Sequence, residues 1–337
     1  MPRTFTVSVR DQRFTVNAGG RLLDAALQAG VELPHDCRAG QCGACTVELA
    51  RGITLGGEAG SGNILACQAR VFSDLEIVTH DAPEPVVRAG VVEEVRELAQ
   101  GVMKVIIRPR RRIDWLPGQY MKLQFRGYPA RAFSPSARLA DGGFDHRLMF
   151  HIKQVRGGRV TPKIGARIDA GTKVKIEGPF GHAFLRDDHP GRLVLLGSGT
   201  GFAPIWAIAA AAQRAAEARP ILMICGAKDA HAFYMSDALR RAAGQAGTEL
   251  RIVFEKNEPH IPGVLTGTPA DHIGPLSADD IVYAAGGPRM VTRAEEQAEA
   301  AGARFYADPF SAAAPAVSSN PFANGIERVA RVFGAAR

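Results

Sequence analysis

Four cysteines constrain the fold of this 337-residue chain more than any other feature. Cys37, Cys42 and Cys45 have the spacing C-x4-C-x2-C, and Cys67 follows as a distant fourth cysteine. Plant-type ferredoxin domains bind a [2Fe–2S] cluster with this spacing. The pattern therefore predicts a domain that wraps one loop around such a cluster and carries single electrons.

Two other uses of four cysteines fit the sequence less well. Zinc sites commonly combine two CxxC units or add histidines, whereas one loop here carries three of the four cysteines. Disulfides need an oxidising compartment, and Met1–Val7 has no apolar segment of the kind found in signal peptides. We therefore expect the cluster and a cytoplasmic location. Cys225 lies in an apolar run and is predicted to be a core thiol.

The net charge of +7 is unevenly distributed along the chain. Residues 79–190 carry 20 basic and 12 acidic side chains, whereas residues 1–78 carry 7 and 8 and the remainder carries 14 of each. The basic residues are scattered, without a recognisable nucleic-acid-binding module. We expect them to face cofactor phosphates or an acidic partner rather than nucleic acid. No membrane segment is expected, because the longest apolar stretch, near residues 203–212, is too short.

The pattern of predicted strands and helices changes along the chain. Residues 1–80 predict a β-grasp ferredoxin domain, with alternating apolar residues and one short helix. The proline-rich residues 81–90 predict a linker. Residues 91–188 predict an antiparallel β-barrel, because short strands are broken by Gly and Pro. Residues 189–310 alternate strands with helices, which predicts a parallel α/β domain, and residues 311–337 predict a flexible tail.

Hydrophobic periodicity and helix-ending residues predict the individual elements. The predicted strands are Phe5–Val9, Phe14–Val16, Thr46–Leu49, Leu75–Val78, Val102–Arg108, Tyr120–Phe125, Leu148–Val155, Lys173–Glu177, Arg192–Leu196, Ile221–Cys225, Leu250–Phe254 and Ile281–Ala285. The predicted helices are Arg21–Ala29, Ser236–Ala243 and an Ala-rich helix that reaches about Ala218.

A glycine-rich turn, Gly197–Pro204, follows a predicted buried strand and opens the Ala-rich helix. Glycines at such a turn let backbone N–H groups approach a pyrophosphate, and the N-terminal end of the helix favours its negative charge. A glycine-rich turn alone is a weak signal. The strand–turn–helix context makes a nucleotide-binding site the prediction.

Short segments of the predicted barrel combine basic, aromatic and glycine residues. Arg131–Ser134 reads Arg-Ala-Phe-Ser, which alone is more typical of an ordinary edge strand than of a binding site. Phe150–Lys153 is followed by Gly157–Thr161, whose glycines, basic residue and hydroxyl are suited to binding a diphosphate. Gly178–Gly181 is a further tight turn just before the α/β domain.

Together these segments resemble the ferredoxin–NAD(P)H reductase superfamily, in the subgroup with an N-terminal plant-type ferredoxin domain. Within that subgroup, the chain is similar to reductase components of Rieske aromatic-ring-hydroxylating dioxygenases. The resemblance runs from residue 1 to about Phe310 in the same domain order. Its most specific segments are Cys37–Cys45, Phe150–Thr161, Gly178–Gly181, Gly197–Pro204 and Phe305–Phe310. It implies an oxidoreductase that contains FAD and one [2Fe–2S] cluster and uses NADH or NADPH.

The resemblance also implies roles for individual residues. Ser134, near flavin N5, and Phe310, on the flavin face where nicotinamide stacks, would act where hydride is transferred. Arg131 would pair with flavin phosphate, and Phe133 would lie against the flavin ring. The remaining implied residues are His151, Ile152, Lys153, Gly158, Arg159, Val160 and Thr161 for FAD, Gly199, Thr200, Gly201, Pro204, Gly286 and Met290 for NAD(P)H, and Cys37, Cys42, Cys45 and Cys67 for the cluster.

The sequence departs from the family pattern at the flavin and at the nicotinamide. Phe133 stands where the family commonly has Tyr. The family segment Cys-Gly-Pro-x-x-Met corresponds here to Ala285–Met290, in which Ala285 replaces the Cys and Gly287 replaces the first Pro. Both departures lie where the resemblance implies hydride transfer.

By resemblance, electrons would pass from NADH through FAD and the cluster to a terminal Rieske oxygenase or to an intermediate ferredoxin. NADPH remains open, because Asp229 would repel a 2′-phosphate whereas Lys228 would attract one. We expect a monomer. Reductases of di-iron monooxygenases and of deoxysugar dehydrases share these three domains, and a non-catalytic redox sensor is an alternative of a different class.

Overall fold

The computed structural model describes residues 3–35, 38–40, 45–59, 62–79, 82–138, 142–186, 191–215, 219–256 and 260–310. Within these residues, sheets of five, seven and six strands form the three predicted domains, and a two-stranded sheet accompanies the first. Cys37, Cys42 and the predicted tail of residues 311–337 lie outside the described residues.

The first domain has the predicted β-grasp arrangement. Its central strands, β1 and β7, run parallel, and the order across the sheet is β2-β1-β7-β3-β5. Alternate residues of β1 are buried, and α1 places Leu22, Leu23 and Ala26 in the same core. The elements are β1 (Thr4–Val9), β2 (Gln12–Asn17), α1 (Leu22–Gln28), β3 (Thr46–Arg51), β4 (Thr54–Leu55), β5 (Asn63–Leu65), β6 (Arg70–Val71) and β7 (Leu75–Val78).

The second domain is an antiparallel sheet that closes on itself at Ser134. The order across the sheet is β11-β10-β14-β8-β9-β13-β12, so β11 and β12 are its two edges. Only Ser134 separates these two strands along the chain, so the edges meet there and the sheet forms the predicted barrel. The strands are β8 (Val86–Ala99), β9 (Val102–Pro109), β10 (Tyr120–Phe125), β11 (Arg131–Phe133), β12 (Pro135–Ser136), β13 (Leu148–Lys153) and β14 (Lys173–Phe180).

The predicted linker of residues 81–90 is too long at its C-terminal end. Strand β8 begins at Val86, and its residues 86–91 pair with β14. The start of this strand was not predicted, because its residues are largely half-buried and do not alternate regularly between apolar and polar. Its cross-strand hydrogen bonds, rather than its own burial pattern, fix it in the barrel.

The third domain is a six-stranded parallel sheet covered by helices on both faces. The order across the sheet is β18-β17-β16-β15-β19-β20. Strands β16 to β18 are added on one side of β15, and β19 and β20 are added on its other side, so the strand order reverses between β15 and β19 although all six strands are parallel. Leu193 and Leu195 face one hydrophobic core, and Val194 and Leu196 face the other. The elements are β15 (Leu193–Ser198), α2 (Phe202–Ala212), β16 (Ile221–Ala227), α3 (Ser236–Ala243), β17 (Thr248–Phe254), β18 (Val264–Thr266), β19 (Ile281–Gly286), α4 (Pro288–Ala300) and β20 (Arg304–Pro309).

Helix α2 ends earlier than the sequence predicts. The prediction reached about Ala218, whereas the helix ends at Ala212. Arg214 and Ala215 donate to carbonyls three residues back, so the chain leaves the helix in a tighter turn. In the described ranges, no helix combines the length and apolar character that crossing a bilayer requires.

Leu185 and Arg186, the last described residues of the barrel segment, contact both domains. The Leu185 N–H donates to Pro117 O in the barrel, at 3.0 Å, and the Arg186 N–H donates to the Tyr283 hydroxyl in the parallel sheet, at 3.0 Å. Elsewhere on the interface, Trp206 Nε1 of α2 donates to Arg138 O at 3.2 Å. These contacts join the barrel to the parallel sheet and to α2.

Candidate functional site

Three strand ends of the α/β domain meet at one crevice. Ser198 ends β15, Gly286 ends β19 and Pro309 ends β20. Gly286 is paired with Pro309 across the sheet. Since the strand order reverses between β15 and β19, this is the position at which open α/β sheets bind ligands.

The glycine-rich turn of residues 197–204 has the form that a bound pyrophosphate requires. Gly199 has φ +55°, and a side chain there would meet no atom within 4 Å, so open space lies beside its backbone. A Cβ on Gly201 would lie 2.2 Å from Ala285 O, so this position must be Gly. Thr200 is half-buried, and Pro204 is buried in the first turn of α2. The turn therefore fits a dinucleotide at the start of α2.

A hydrogen bond joins this crevice to the barrel seam, the point at Ser134 where the barrel closes. Ser134 Oγ donates to Asp308 Oδ2 at 2.7 Å, although the two residues are 174 positions apart. Ser134 is 6% exposed. Part of Asp308 remains accessible, but its carboxyl group is enclosed, and burial raises its pKa to about 6 against the opposing effect of the Ser134 hydrogen bond. Asp308 was missed as a site residue, although it lies in the segment Phe305–Phe310.

His151 lies beside Ser134 on the neighbouring barrel strand and is held neutral. Extending the β12–β13 register places His151 opposite Ser134. Burial, with a smaller contribution from Lys104, lowers the His151 pKa to about 3. Its Nδ1 lies 3.3 Å from the Tyr234 hydroxyl, which comes from the α/β domain. Tyr234 was also missed, since nothing local in its sequence marks it.

Two buried polar atoms on this face have no protein partner within the described chain. They are His151 Nε2 and Ser136 Oγ. A buried polar group without a partner is costly, so such atoms commonly mark a ligand. Together with Ser134, they fit the predicted FAD at the barrel seam.

The segment Gly157–Thr161 is suited to holding phosphate through its main chain. Thr161 Oγ1 accepts the Val155 N–H at 3.0 Å and closes the turn. In the described part of the chain, the N–H groups of Arg159, Val160 and Thr161 make no hydrogen bond to a backbone carbonyl. Successive unpaired N–H groups form a concave anion site. This arrangement fits the diphosphate of FAD.

The other residues implied for FAD differ in what they offer. The side chains of Ile152 and Val160 are buried in the barrel core, so they contact a ligand only through their main chain. Lys153 and Arg159 are exposed, and Arg131 and Phe133 are half-buried on β11. Arg131 Nη1 donates to Ala130 O at 2.7 Å.

Two of the four predicted cluster ligands lie in the described part of the ferredoxin domain. Cys45 and Cys67 are each 3% exposed and belong to the same core. The Ala66 N–H donates to Cys45 O at 3.0 Å, which brings the two cysteine segments side by side. Gln68 Nε2 lies 3.5 Å from Cys67 Sγ. The pair fits one half of a four-thiolate site, while Cys225 is a buried thiol whose pKa is raised by burial, as predicted for a core residue.

The nicotinamide segment places its residues at different depths. The Phe310 N–H donates to Gly286 O at 2.7 Å, and the residue is half-buried. Gly286 is buried at the crevice, whereas Met290 packs into the core beneath α4. The buried Met290 side chain therefore anchors this segment to the core of the α/β domain.

Family models match all three domains. Residues 5–72 match a 2Fe-2S iron-sulfur cluster binding domain. Residues 93–184 match an oxidoreductase FAD-binding domain, and residues 195–296 match an oxidoreductase NAD-binding domain. These matches confirm the predicted fold class and the three kinds of cofactor.

Known proteins similar to this chain serve different oxygenases. The ferredoxin–NAD(P)(+) reductase component of the naphthalene 1,2-dioxygenase system of Pseudomonas putida is 33% identical over 243 residues, covering 67% of this chain and 72% of the relative. The electron transfer component of xylene/toluene monooxygenase from Pseudomonas putida is 30% identical, with 71% and 72% covered. A solved Amycolatopsis cytochrome P450 reductase is 26% identical with a TM-score of 0.67, over 92% of this chain and all 100% of that structure.

Proposed function

The chain belongs to the ferredoxin–NAD(P)+ reductase components of oxygenase systems, and from that membership we propose that it delivers electrons from NADH to an aromatic-ring oxygenase of the Rieske type or to that oxygenase's ferredoxin. It is an oxidoreductase with FAD-binding, NAD-binding and [2Fe–2S] domains. When bound, FAD accepts the two electrons of NADH together and releases them singly to the cluster.

The observation that carries the proposal is the hydrogen bond between Ser134 and Asp308. It joins the barrel seam, where the flavin is predicted, to the end of the parallel sheet, where the nicotinamide is predicted. The two ligand sites therefore open onto one another. Such proximity is what direct hydride transfer between two bound rings requires.

The side chains around this contact hold and orient, rather than react. Ser134 Oγ donates its proton to Asp308. The lone pairs of the Ser134 oxygen therefore remain available to a neighbouring ligand. His151 stays uncharged at neutral pH, so it adds no positive charge beside the flavin. The N-terminal end of helix α2 would favour the negative charge of a pyrophosphate bound there. Trp206 Nε1 of α2 donates to Arg138 O, which holds the barrel against this helix.

The preference for NADH is a prediction that rests on the residues after β16. Asp229 Oδ1 accepts the Ala232 N–H at 3.0 Å and caps a short helical turn, while Lys228 is exposed. A carboxylate fixed by this cap opposes a 2′-phosphate nearby. The ratio of kcat/KM for NADH and NADPH tests this, and a ratio favouring NADPH would contradict it.

The proposal names a Rieske oxygenase as the partner, and a monooxygenase is the alternative partner that the comparisons also support. Relatives named for a dioxygenase and for a monooxygenase are of similar identity, at 33% and 30%. A monooxygenase partner is therefore the second candidate. Reconstituted turnover separates the two: the purified reductase, with NADH, should support product formation by a Rieske oxygenase and not by a di-iron monooxygenase.

The electron path is tested by removing one predicted cluster ligand. Cys42→Ser should lose the cluster and delivery to the oxygenase, yet keep NADH-driven reduction of ferricyanide, because hydride transfer uses only the barrel and the α/β domain. Cys225→Ala is the matched control, since it removes a thiol that lies in the core of the α/β domain. Loss of ferricyanide reduction in Cys42→Ser while flavin remains bound would show that the proposed order is wrong.

The flavin itself is predicted to be FAD rather than FMN. The unpaired N–H groups of residues 159–161 offer a site for a second phosphate. Mass spectrometry of the cofactor released from the purified protein decides this, and FMN would overturn the assignment.

A further inference from the structure

The peptide group between Gly286 and Gly287 is held at both of its polar ends. Its carbonyl oxygen, on Gly286, accepts the Phe310 N–H at 2.7 Å. Its N–H, on Gly287, donates to Ser198 Oγ at 3.0 Å. Because a peptide group is planar, two such bonds from opposite sides fix its orientation. One bond comes from the end of β15 and the other from the residue that follows β20.

The two glycines of this peptide face different requirements. Gly286 has φ +126°, and a Cβ there would lie 2.3 Å from Ser198 Oγ, so only Gly fits. Gly287 has φ −58°, and a Cβ there would lie 3.8 Å from the same oxygen, which is ordinary contact. Space therefore does not require Gly at position 287. What the arrangement requires at that position is the N–H, which every residue except Pro supplies.

Resting on the proposed function, we propose that Ser198 is a positioning residue for the nicotinamide ring. By accepting the Gly287 N–H, Ser198 fixes the peptide group whose carbonyl oxygen accepts the Phe310 N–H. The Phe310 main chain then stays in place when nicotinamide enters, and only its ring moves aside. Ser198 thus sets the position of the Phe310 ring and the nicotinamide relative to the flavin without reacting itself.

Two single substitutions remove opposite halves of the bond. Ser198→Ala removes the acceptor. Gly287→Pro removes the donor at a φ that Pro adopts, but its ring carbon takes the place of the amide hydrogen and collides with Ser198 Oγ. The double variant relieves that collision. Gly287→Ala is the matched control, because it keeps the N–H and has room for its methyl group.

The measurement is anaerobic stopped-flow reduction of the flavin by NADH, with the long-wavelength absorbance of nicotinamide stacked on flavin recorded in the same experiment. Ser198→Ala should slow reduction at saturating NADH about tenfold and weaken the stacking absorbance, with FAD content unchanged. Gly287→Ala should stay within about twofold of the parent. Gly287→Pro should be slower than Ser198→Ala, and the double variant should return to the Ser198→Ala rate.

The outcomes separate this inference from the proposed function. If NADH does not reduce the flavin of the unaltered protein, the proposed function is wrong. If it does, and Ser198→Ala matches Gly287→Ala in rate and stacking absorbance, Ser198 does not position the nicotinamide. A double variant as slow as Gly287→Pro alone would likewise overturn the direct pairing. Should Gly287→Pro fail to fold, the comparison of Ser198→Ala with Gly287→Ala still decides.

Discussion

Replacing Asp308 by Asn should stabilise the protein fully above about pH 6 and progressively less as the pH falls to about 4. Burial raises the pKa of Asp308 from 3.8 to about 6. A group with a raised folded-state pKa contributes stability that is present below its unfolded pKa and is lost as the pH rises through the folded value. The Asp308 contribution is therefore lost between about pH 4 and pH 6. Asp308→Asn keeps an uncharged acceptor for Ser134 and avoids this loss.

The magnitude follows from the size of the pKa change. A rise from 3.8 to about 6 corresponds to at most about 3 kcal/mol. Part of the residue remains accessible to solvent, which reduces the cost of the charge, so we expect about 2 kcal/mol. In a domain of this size that is a difference on the order of 5–10 °C in melting temperature.

The assay is scanning calorimetry at pH 8 and pH 5, following the transition of the α/β domain. Asp308→Asn should melt well above the parent protein at pH 8 and by about half that margin at pH 5, which lies midway through the pH range in which the Asp308 contribution is lost. Asp279→Asn, which neutralises an exposed carboxylate of the same domain, is the control and should show no such pH-dependent gain. Equal melting temperatures for Asp308→Asn and the parent at pH 8 would refute the reasoning, because the carboxylate would then be adequately solvated.

Three further predictions test other parts of the site and its support. Gly201→Ala should weaken NAD+ binding roughly tenfold in an equilibrium titration, since its methyl group would push against Ala285 O and displace the turn; unchanged affinity would place the pyrophosphate elsewhere. Phe310→Ala should alter nicotinamide affinity and the flavin-reduction rate together, by about 1 kcal/mol or more. Truncation after Phe310 should change neither quantity in stopped-flow reduction. The reverse pattern would contradict the placement of Phe310. Asp280→Asn should destabilise the protein by about 2 kcal/mol at pH 7, because it weakens the paired hydrogen bonds from Arg192. Burial raises the Asp280 pKa, but these hydrogen bonds outweigh burial and hold the pKa below its usual value. That contribution is lost as the pH falls, so the difference in melting temperature should shrink in acid, and a constant difference would count against the ion pair.

The cluster motif and the glycine-rich turn were predictable because each depends on residues close together in sequence. Cysteine spacing fixes the reach of a loop, and the turn Gly197–Pro204 combines a strand end with a helix start in eight residues. The strand Tyr120–Phe125 and the helix Ser236–Ala243 were predicted with their observed bounds, because their apolar periodicity is clear.

The elements that sequence analysis missed have weak periodicity. Helix α4 buries Met290 and Val291 but relies on alanines for the rest of its apolar face, so its pattern is faint. Strand β20 spans only six residues with mixed burial. The contact between Ser134 and Asp308 joins residues 174 positions apart, and no local pattern predicts a partner at that distance. The sequence alone could propose residues for the site, but the contact between Ser134 and Asp308 depends on the closed barrel.

The closure of the barrel at Ser134 limits how this chain can diverge. A residue added or removed between Phe133 and Pro135 would shift one edge of the sheet by a single position and turn each of its side chains to the opposite face. The same event would withdraw the hydroxyl from Asp308. Insertions and deletions here therefore damage architecture and chemistry in one step, so related sequences should vary at this seam by substitution alone and keep their differences in length for the loops elsewhere.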